Sequence, residues 1–156
     1  MRLWSVHFKC KLASYAGHNF ALWDVKFAST RGVYFASASQ DRTARVWRTD
    51  SSMAVRVMVG HLDDVECVEF SPNLQYLATS SADKTVRLWD ISSAVCKREF
   101  LASKASIRTL HFPGKMLDLL LCGSEEGDFV VLDLDSGRVL NRLKRPSQKS
   151  IWSITS

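Results

Sequence analysis

The feature that most constrains this chain is a stretch of eleven residues that occurs twice, 42 positions apart. The first copy, residues 38–48, reads ASQDRTARVWR, and the second, residues 80–90, reads SSADKTVRLWD. Each copy places a tryptophan six positions after an aspartate. A period of 20–50 residues is typical of proteins built by repeating one small unit. The repeat therefore predicts several copies of one unit rather than a single irregular core.

The period extends over the whole chain of 156 residues. Tryptophans at 4, 47 and 89 are separated by 43 and 42 residues, and the next step of 43 reaches Leu132. A second landmark follows each of these positions by 14 residues: His18, His61, Ser103 and Pro146. We therefore divide the chain at these landmarks, into complete units over 17–59, 60–101 and 102–145 and partial units over 1–16 and 146–156.

The polarity pattern inside one unit predicts short β-strands. In GHLDDVECVEF, beginning at Gly60, alternate residues differ in polarity, and the turn SPN follows. The segments QYLATSSA, TVRLWDI and VCKREFL come next, separated by short polar stretches. Alternation over such lengths favours strands, and no segment has a sustained helical period. We expect four strands per unit and an all-β fold.

This pattern resembles the WD40 family. The marks are the pairs Gly17-His18 and Gly60-His61, the turn residues Asp41 and Asp83, and the repeated tryptophans, of which Trp89 is followed by Asp90. The resemblance implies that each unit is a four-stranded blade of a β-propeller. The chain would hold about three and a half blades of an expected seven. We therefore expect that remaining propeller blades or another chain must cover its open sides, and that it is not a stable solitary monomer.

The resemblance also implies a hydrogen-bonded network inside each of two blades. One network would join His18, Ser37, Asp41 and Trp47, and the other His61, Thr79, Asp83 and Trp89. The third unit has Ser103, Cys122, Glu126 and Leu132 at the corresponding positions, so we expect apolar packing alone to hold it. Part of that packing would come from residues 117–121.

The same residues also suggest a hydroxyl–imidazole–carboxylate triad, formed by Thr79, His61 and Asp83. We favour the structural interpretation because a hydroxyl that already binds an indole leaves no room for a substrate. We expect no catalytic residue and no enzymatic activity. The four cysteines, at 10, 67, 96 and 122, contain no C-x-x-C pair, so we expect reduced core residues with no metal and no cofactor.

Charge is distributed unevenly along the chain, whose formal net charge is +5. The net charge is +6 over residues 1–60, −6 over 61–137 and +5 over 138–156. Such a divided surface suits protein partners at least as well as a phosphate backbone, so we expect no direct nucleic-acid binding. No apolar run approaches the roughly 20 residues that span a bilayer, and no signal peptide is recognisable, so we expect no membrane association.

Finer resemblance suggests a class of function. The stretches GHNFALWDVKF, YFASASQDRTARVW and GHLDDVECVEFSPNLQYLATSSADKTVRLWD are similar to the propeller of the TBP-associated WD-repeat subunits of TFIID- and SAGA-type complexes. This similarity implies a non-catalytic scaffold in the nucleus that supports initiation by RNA polymerase II. It also implies TBP-associated factors and histone-fold subunits as partners.

Contacts in the family usually form at the narrow face of the propeller, which implies nine candidate partner-binding residues: Asn19, Ala21, Trp23, Leu62, Asp64, Glu66, Lys104, Ser106 and Arg108. Trp23 would be either an exposed interface anchor or a residue packed on the next blade. The acidic residues could equally form a solvated edge. A substrate receptor of a ubiquitin ligase and a propeller that binds RNA or histone tails are the alternative functions.

Overall fold

The computed structural model describes residues 1–28, 32–114, 118–144 and 150–154. All regular secondary structure within these ranges is β-strand, which confirms the predicted all-β class. The strands are β1 (Arg2–Ser5), β2 (Cys10–Ser14), β3 (Leu22–Phe27), β4 (Tyr34–Ser39), β5 (Thr43–Arg48), β6 (Ala54–Val59), β7 (Val65–Phe70), β8 (Tyr76–Ser81), β9 (Thr85–Asp90), β10 (Cys96–Leu101), β11 (Ile107–His111), β12 (Leu119–Ser124), β13 (Asp128–Asp133) and β14 (Arg138–Lys144).

The strands form three antiparallel sheets of four strands, each made from strands consecutive in the chain. We call β3–β6 the first blade, β7–β10 the second blade and β11–β14 the third blade. Among the described residues, strands β1 and β2 pair only with each other. Within each blade the first strand lies at one edge and the fourth at the other, and the first strands of adjacent blades lie close together. This arrangement confirms a partial propeller of four-stranded units.

The core lies between the faces of adjacent blades. Residues Ala36, Val46 and Phe70 belong to the apolar cluster that joins the first and second blades, and Leu88 and Leu110 to the cluster that joins the second and third. Successive strand residues point to opposite faces of a sheet, so a strand between two neighbours must be apolar or small on both sides. Strands β4 and β8 meet this condition, and every residue after the first is buried in each.

The third blade is held mainly by apolar packing. Leu120, Cys122 and Leu132 are fully buried, whereas Leu117 lies outside the described residues. The prediction of apolar packing alone is incomplete, because the Arg142 guanidinium donates a 2.7 Å hydrogen bond to the Ala102 carbonyl oxygen. This bond joins the outer strand β14 to the segment before β11.

The two ends of the described chain expose apolar surface. At the first blade, Val25 and Phe27 are exposed on β3 beside a cleft of about 330 Å³ that is also lined by Leu3 and Tyr15.

At the other end, residues 150–154 form no strand, although the sequence predicts the first strand of another blade there. The Ile151 N–H donates one hydrogen bond of 3.0 Å to the Ser124 carbonyl oxygen. A first strand needs a second strand beside it for a full ladder of hydrogen bonds.

The cysteines are placed differently from our expectation of four core residues. Cys67 and Cys122 are buried, but Cys96 is only partly buried and Cys10 is exposed. Cys10 begins β2, and within the described ranges the sheet formed by β1 and β2 has two strands, which leave Cys10 exposed. Burial raises the pKa of Cys122, so this thiol remains protonated.

The turn before the fourth strand has the same conformation in the second and third blades, and this similarity yields a stability prediction. Ala94 has a φ of 57°, and Gly137, 43 positions later, has a φ of 74°. The Ala94 N–H donates a hydrogen bond to the Asp90 carbonyl oxygen, and the Gly137 N–H donates one to the Asp133 carbonyl oxygen. Because alanine pays roughly 1 kcal/mol or more for this left-handed conformation, Ala94→Gly should raise the free energy of unfolding by about 0.5–1 kcal/mol. Urea denaturation measures the change.

Gly137→Ala is the matched control for that substitution. It should lower the free energy of unfolding, because it introduces the strained φ and brings a Cβ within 3.2 Å of Arg98 Nη1. A loss of stability in Ala94→Gly would show that left-handed strain at this turn is not the dominant effect.

Candidate interaction rim and the networks beneath it

A continuous network of side chains lies inside the second blade. The Trp89 indole Nε1–H donates to Thr79 Oγ1 at 2.9 Å. The Thr79 hydroxyl lies 2.7 Å from His61 Nε2, and His61 Nδ1 lies 2.9 Å from Asp83 Oδ2. The network joins β9 to β8, to the loop before β7 and to the turn between β8 and β9.

The first blade holds the same network with serine in place of threonine. The Trp47 indole donates to Ser37 Oγ at 2.9 Å, and His18 Nε2 lies 2.7 Å from that oxygen. His18 Nδ1 lies 2.7 Å from Asp41 Oδ2. The structure thus brings together all eight residues that the resemblance groups into two networks.

One distribution of protons satisfies every member of each network. An indole nitrogen can only donate, so the hydroxyl oxygen accepts that bond and donates its own hydrogen to His Nε2. The imidazole is then neutral, with its proton on Nδ1, and this proton goes to the carboxylate. A second proton on Nε2 would face the hydroxyl and force it to give up its donor bond.

The pKa directions agree with a neutral imidazole beside an ionised carboxylate. Burial lowers the pKa of both His18 and His61, although the adjacent carboxylates partly oppose this effect. Burial alone would raise the pKa of Asp83. Hydrogen bonds from Thr85, the Leu62 N–H and His61 outweigh burial, so the pKa of Asp83 is lowered.

The network has the residue types of a catalytic triad but not the access that one needs. Thr79 is completely buried, and its hydroxyl oxygen already accepts the Trp89 indole bond. A nucleophile must reach a substrate carbonyl beside donors that stabilise an oxyanion. Nothing at this position therefore points to an enzyme.

The first strand of each blade contains a β-bulge. The pairing register shifts between Leu22 and Asp24 in β3, between Val65 and Cys67 in β7, and between Ile107 and Thr109 in β11. The residues inside these intervals are Trp23, Glu66 and Arg108. A bulge adds one residue to one strand and redirects its side chain. The bulges of the first and second blades therefore send Trp23 and Glu66 toward the next blade, and the bulge of the third blade sends Arg108 back toward Glu66.

The redirected side chains connect the blades along one face. The Trp23 indole Nε1–H donates to Asp64 Oδ2 at 3.1 Å. Arg108 forms ion pairs with Glu66 at 2.8 Å and Glu125 at 3.3 Å. The Arg108 guanidinium also lies 6.0 Å from the ring centroid of Trp152. We call the surface formed by Trp23, Leu62, Asp63, Asp64, Glu66, Arg108, Glu125 and Trp152 the rim.

The predicted partner-binding residues differ in how accessible they are. Trp23 is 54% exposed although its indole binds the next blade, so both interpretations of this residue describe part of its environment. The Glu66 side chain is only 10% exposed and paired, so it does not belong to a solvated edge. Exposed members of the set are Asn19, Ala21, Leu62 and Lys104, and partly buried members are Asp64, Ser106 and Arg108.

Sequence reasoning missed Trp152 and Phe20 as surface residues of this region. Trp152 is 73% exposed and follows Arg108 by 44 positions, close to the repeat period. That spacing could have identified it as the counterpart of Trp23. Phe20 directly precedes the predicted residue Ala21 and is also exposed. Its position in an irregular loop left no periodic signal.

Two further kinds of site were sought among the described residues. Within those ranges, no group of three or more His, Cys, Asp or Glu side chains is arranged to hold a metal ion. None of the described segments forms a helix long and apolar enough to cross a bilayer.

Blades that repeat every 42 or 43 residues, two of them with a Trp–hydroxyl–His–Asp network, define a WD40-repeat propeller protein. The family model for the WD domain, G-beta repeat, matches residues 9–48 and 53–90. The chain belongs to this family.

Among particular proteins, the chain is similar to transcription initiation factor TFIID subunit 5 of Caenorhabditis elegans, with 38% identity over 112 residues. That alignment covers 72% of this chain and 17% of the relative. The human WD repeat-containing protein 37 is 35% identical over 67 residues, covering 42% of this chain and 14% of that protein. The zebrafish (Danio rerio) WD repeat and SOCS box-containing protein 1 is 36% identical over 75 residues, covering 47% and 18%. The chain thus spans less than a fifth of each of these relatives.

Proposed function

We propose that this chain is a non-catalytic protein-interaction scaffold in a nuclear transcription complex of the TFIID or SAGA type. In that role it supports initiation by RNA polymerase II, and its partners are TBP-associated factors and histone-fold subunits. The similarity to a TFIID subunit over 72% of the chain supports the choice of complex. The observation that carries the proposal is the rim, where Trp23 is held by Asp64 yet remains more than half exposed.

The rim has the properties of a protein-binding surface. Tryptophan is enriched among the residues that dominate binding energy at interfaces, and a rigid anchor loses little entropy on binding. The Trp23–Asp64 hydrogen bond and the Arg108 ion pairs fix side chains of three blades relative to one another. A partner therefore meets a surface that is already ordered.

A second part of the proposal concerns the open side at β3. Val25 and Phe27 are exposed there, beside the cleft of about 330 Å³ that contains Leu3 and Tyr15. Strands β1 and β2 have no other strand beside them among the described residues. We infer that further propeller blades or another chain cover this side, because apolar faces of this kind favour association.

The test is affinity capture from nuclear extract with the tagged chain, followed by identification of the bound proteins by mass spectrometry. TBP-associated factors should be enriched on the wild-type chain and reduced at least fivefold on Trp23→Ala. Trp4→Ala is the matched control, because Trp4 is equally exposed but lies on β1. Capture of cullin-ligase subunits without TBP-associated factors would reject the proposal and support a ubiquitin-ligase receptor.

A further inference from the structure

We infer that the rim binds a basic segment of its partner, with a lysine or arginine stacked on Trp23 beside Asp63 and Asp64. This inference deepens the proposed function and rests on its claim that the rim is a protein-binding surface. It specifies the chemistry of the partner, which neither the fold nor the relatives indicate.

The first step concerns Trp23 itself. Its indole nitrogen is bonded to Asp64 Oδ2, so the carboxylate holds the edge of the ring while more than half of the side chain remains accessible. The face of an indole attracts cations, and the attraction is greatest for tryptophan among the aromatic side chains. A carboxylate at the ring edge adds Coulombic attraction for the same cation. Trp23 and Asp64 thus form one wall of a cation site.

The second step concerns the charge around that wall. The loop before β7 contributes Asp63 and Asp64, and the turn between β12 and β13 contributes Glu125. Arg108 is already paired with Glu66 and Glu125. The rim carboxylates of Asp63 and Asp64 have no ion pair within the described chain. Acidic groups at the rim therefore complement a positively charged partner.

The third step concerns apolar contact. Leu62 is largely exposed and directly precedes Asp63, so an apolar side chain lies next to the acidic pair. Trp152 already lies over the Arg108 guanidinium, so one aromatic–cation pair of this kind occurs within the rim itself. A segment that alternates basic and aliphatic residues would satisfy both the carboxylates and Leu62. A phosphate backbone would face repulsion from the same carboxylates.

The experiment uses a fluorescein-labelled peptide of arginine, leucine and serine, and a counterpart in which glutamate replaces each arginine. Fluorescence anisotropy with the full chain should show binding of the basic peptide alone, weakened by added salt. Trp23→Ala and Asp63→Lys should each weaken binding about tenfold, whereas Trp23→Phe, which keeps an aromatic face but loses the indole hydrogen bond to Asp64, should retain part of it. Circular dichroism melting establishes that each variant is folded. The matched controls Trp4→Ala and Asp135→Asn, which lie outside the rim, should leave binding unchanged.

The outcomes separate this inference from the proposed function. Equal binding of the acidic peptide, preferential binding of single-stranded RNA, or equal affinity of Trp23→Ala and wild type would overturn the inference. If nuclear extract still yielded TBP-associated factors in a Trp23-dependent manner, the proposed function would stand without it. Conversely, selective and Trp23-dependent peptide binding with no capture of transcription subunits would support the cation site and reject the proposed complex.

Discussion

Replacing Asp83 with alanine is expected to lower the free energy of unfolding by about 3 kcal/mol. The Asp83 carboxylate accepts hydrogen bonds from His61, from the Leu62 N–H, and from both the N–H and the hydroxyl of Thr85. Its removal leaves the buried His61 Nδ1–H without its acceptor. An unsatisfied buried group costs roughly 1–3 kcal/mol, and bonds to a charged acceptor contribute about 1.5–3 kcal/mol. Urea denaturation followed by circular dichroism measures the loss.

Glu126→Ala is the control for this loss. Glu126 occupies the corresponding position in the third blade but is exposed, and Leu132 and Cys122 replace the tryptophan and the hydroxyl there. Surface substitutions of this kind usually change stability by less than about 0.5 kcal/mol. Equal losses of stability in the two variants would show that an acidic residue in the turn, and not the hydrogen-bonded network, stabilises the blade.

The Asp83→Asn variant separates the contribution of the carboxylate charge to stability from that of the side chain's size and shape. The amide oxygen can still accept the Thr85 bonds, but an amide NH₂ toward His61 would require the other imidazole tautomer. That tautomer places a proton on Nε2, facing the Thr79 hydroxyl, which already accepts the indole bond. The asparagine variant should therefore recover only part of the loss seen with alanine.

Acidification is expected to destabilise the protein in two stages. The pKa values of His18 and His61 are lowered in the folded state, so below about pH 6.5 the unfolded chain binds more protons than the folded chain. Their contribution to stability is complete above that pH and is lost as the pH falls toward the folded pKa values. The free energy of unfolding can fall by up to about 1.4 kcal/mol per pH unit for each histidine.

The second stage comes from the carboxylates of the same networks. The pKa of Asp83 is lowered, and so is that of Asp41, where hydrogen bonds from Thr43 and His18 outweigh the opposing effect of burial. Their contribution is present above the unfolded pKa near 4 and is lost as the pH falls through the folded values. Urea unfolding between pH 8 and pH 3 should reveal both stages.

A His61→Gln variant provides the check on the first stage. It removes one of the two network imidazoles, so its stability should fall less steeply than that of the wild type between about pH 6.5 and pH 5. An identical slope in the two proteins would show that another group causes the acid sensitivity.

The fold could be predicted far more completely than the surface. Strand alternation, turn residues and the period of 42 or 43 were sufficient for an all-β chain of four-stranded units. The prediction differed from the structure at residues 150–154, where the sequence pattern favours a strand and the described residues form none. Secondary structure at an edge depends on a partner that local sequence does not contain.

The buried part of the candidate site was also accessible from sequence, whereas the rim was only partly so. His61, Thr79, Asp83 and Trp89 recur at fixed spacing in two units, and the structure brings each set within hydrogen-bonding distance. The pairing of Glu66 with Arg108 could not be foreseen, because both residues appeared only as separate candidates on different blades. Phe20 likewise left no signal in the sequence, whereas the repeat spacing could have identified Trp152.

The sequence by itself determined the repeated unit and its strands, and its resemblance to the WD40 family implied the two internal networks. These features depend on side-chain alternation and on short, recurring spacings that each unit contains within itself. Only the tertiary structure decided which side chains of different blades meet. Trp23 contacts Asp64 and Glu66 contacts Arg108 because a bulge in each first strand shifts the register and the neighbouring blade lies where the redirected side chain ends. That position depends on how whole sheets pack against each other, which no single unit encodes.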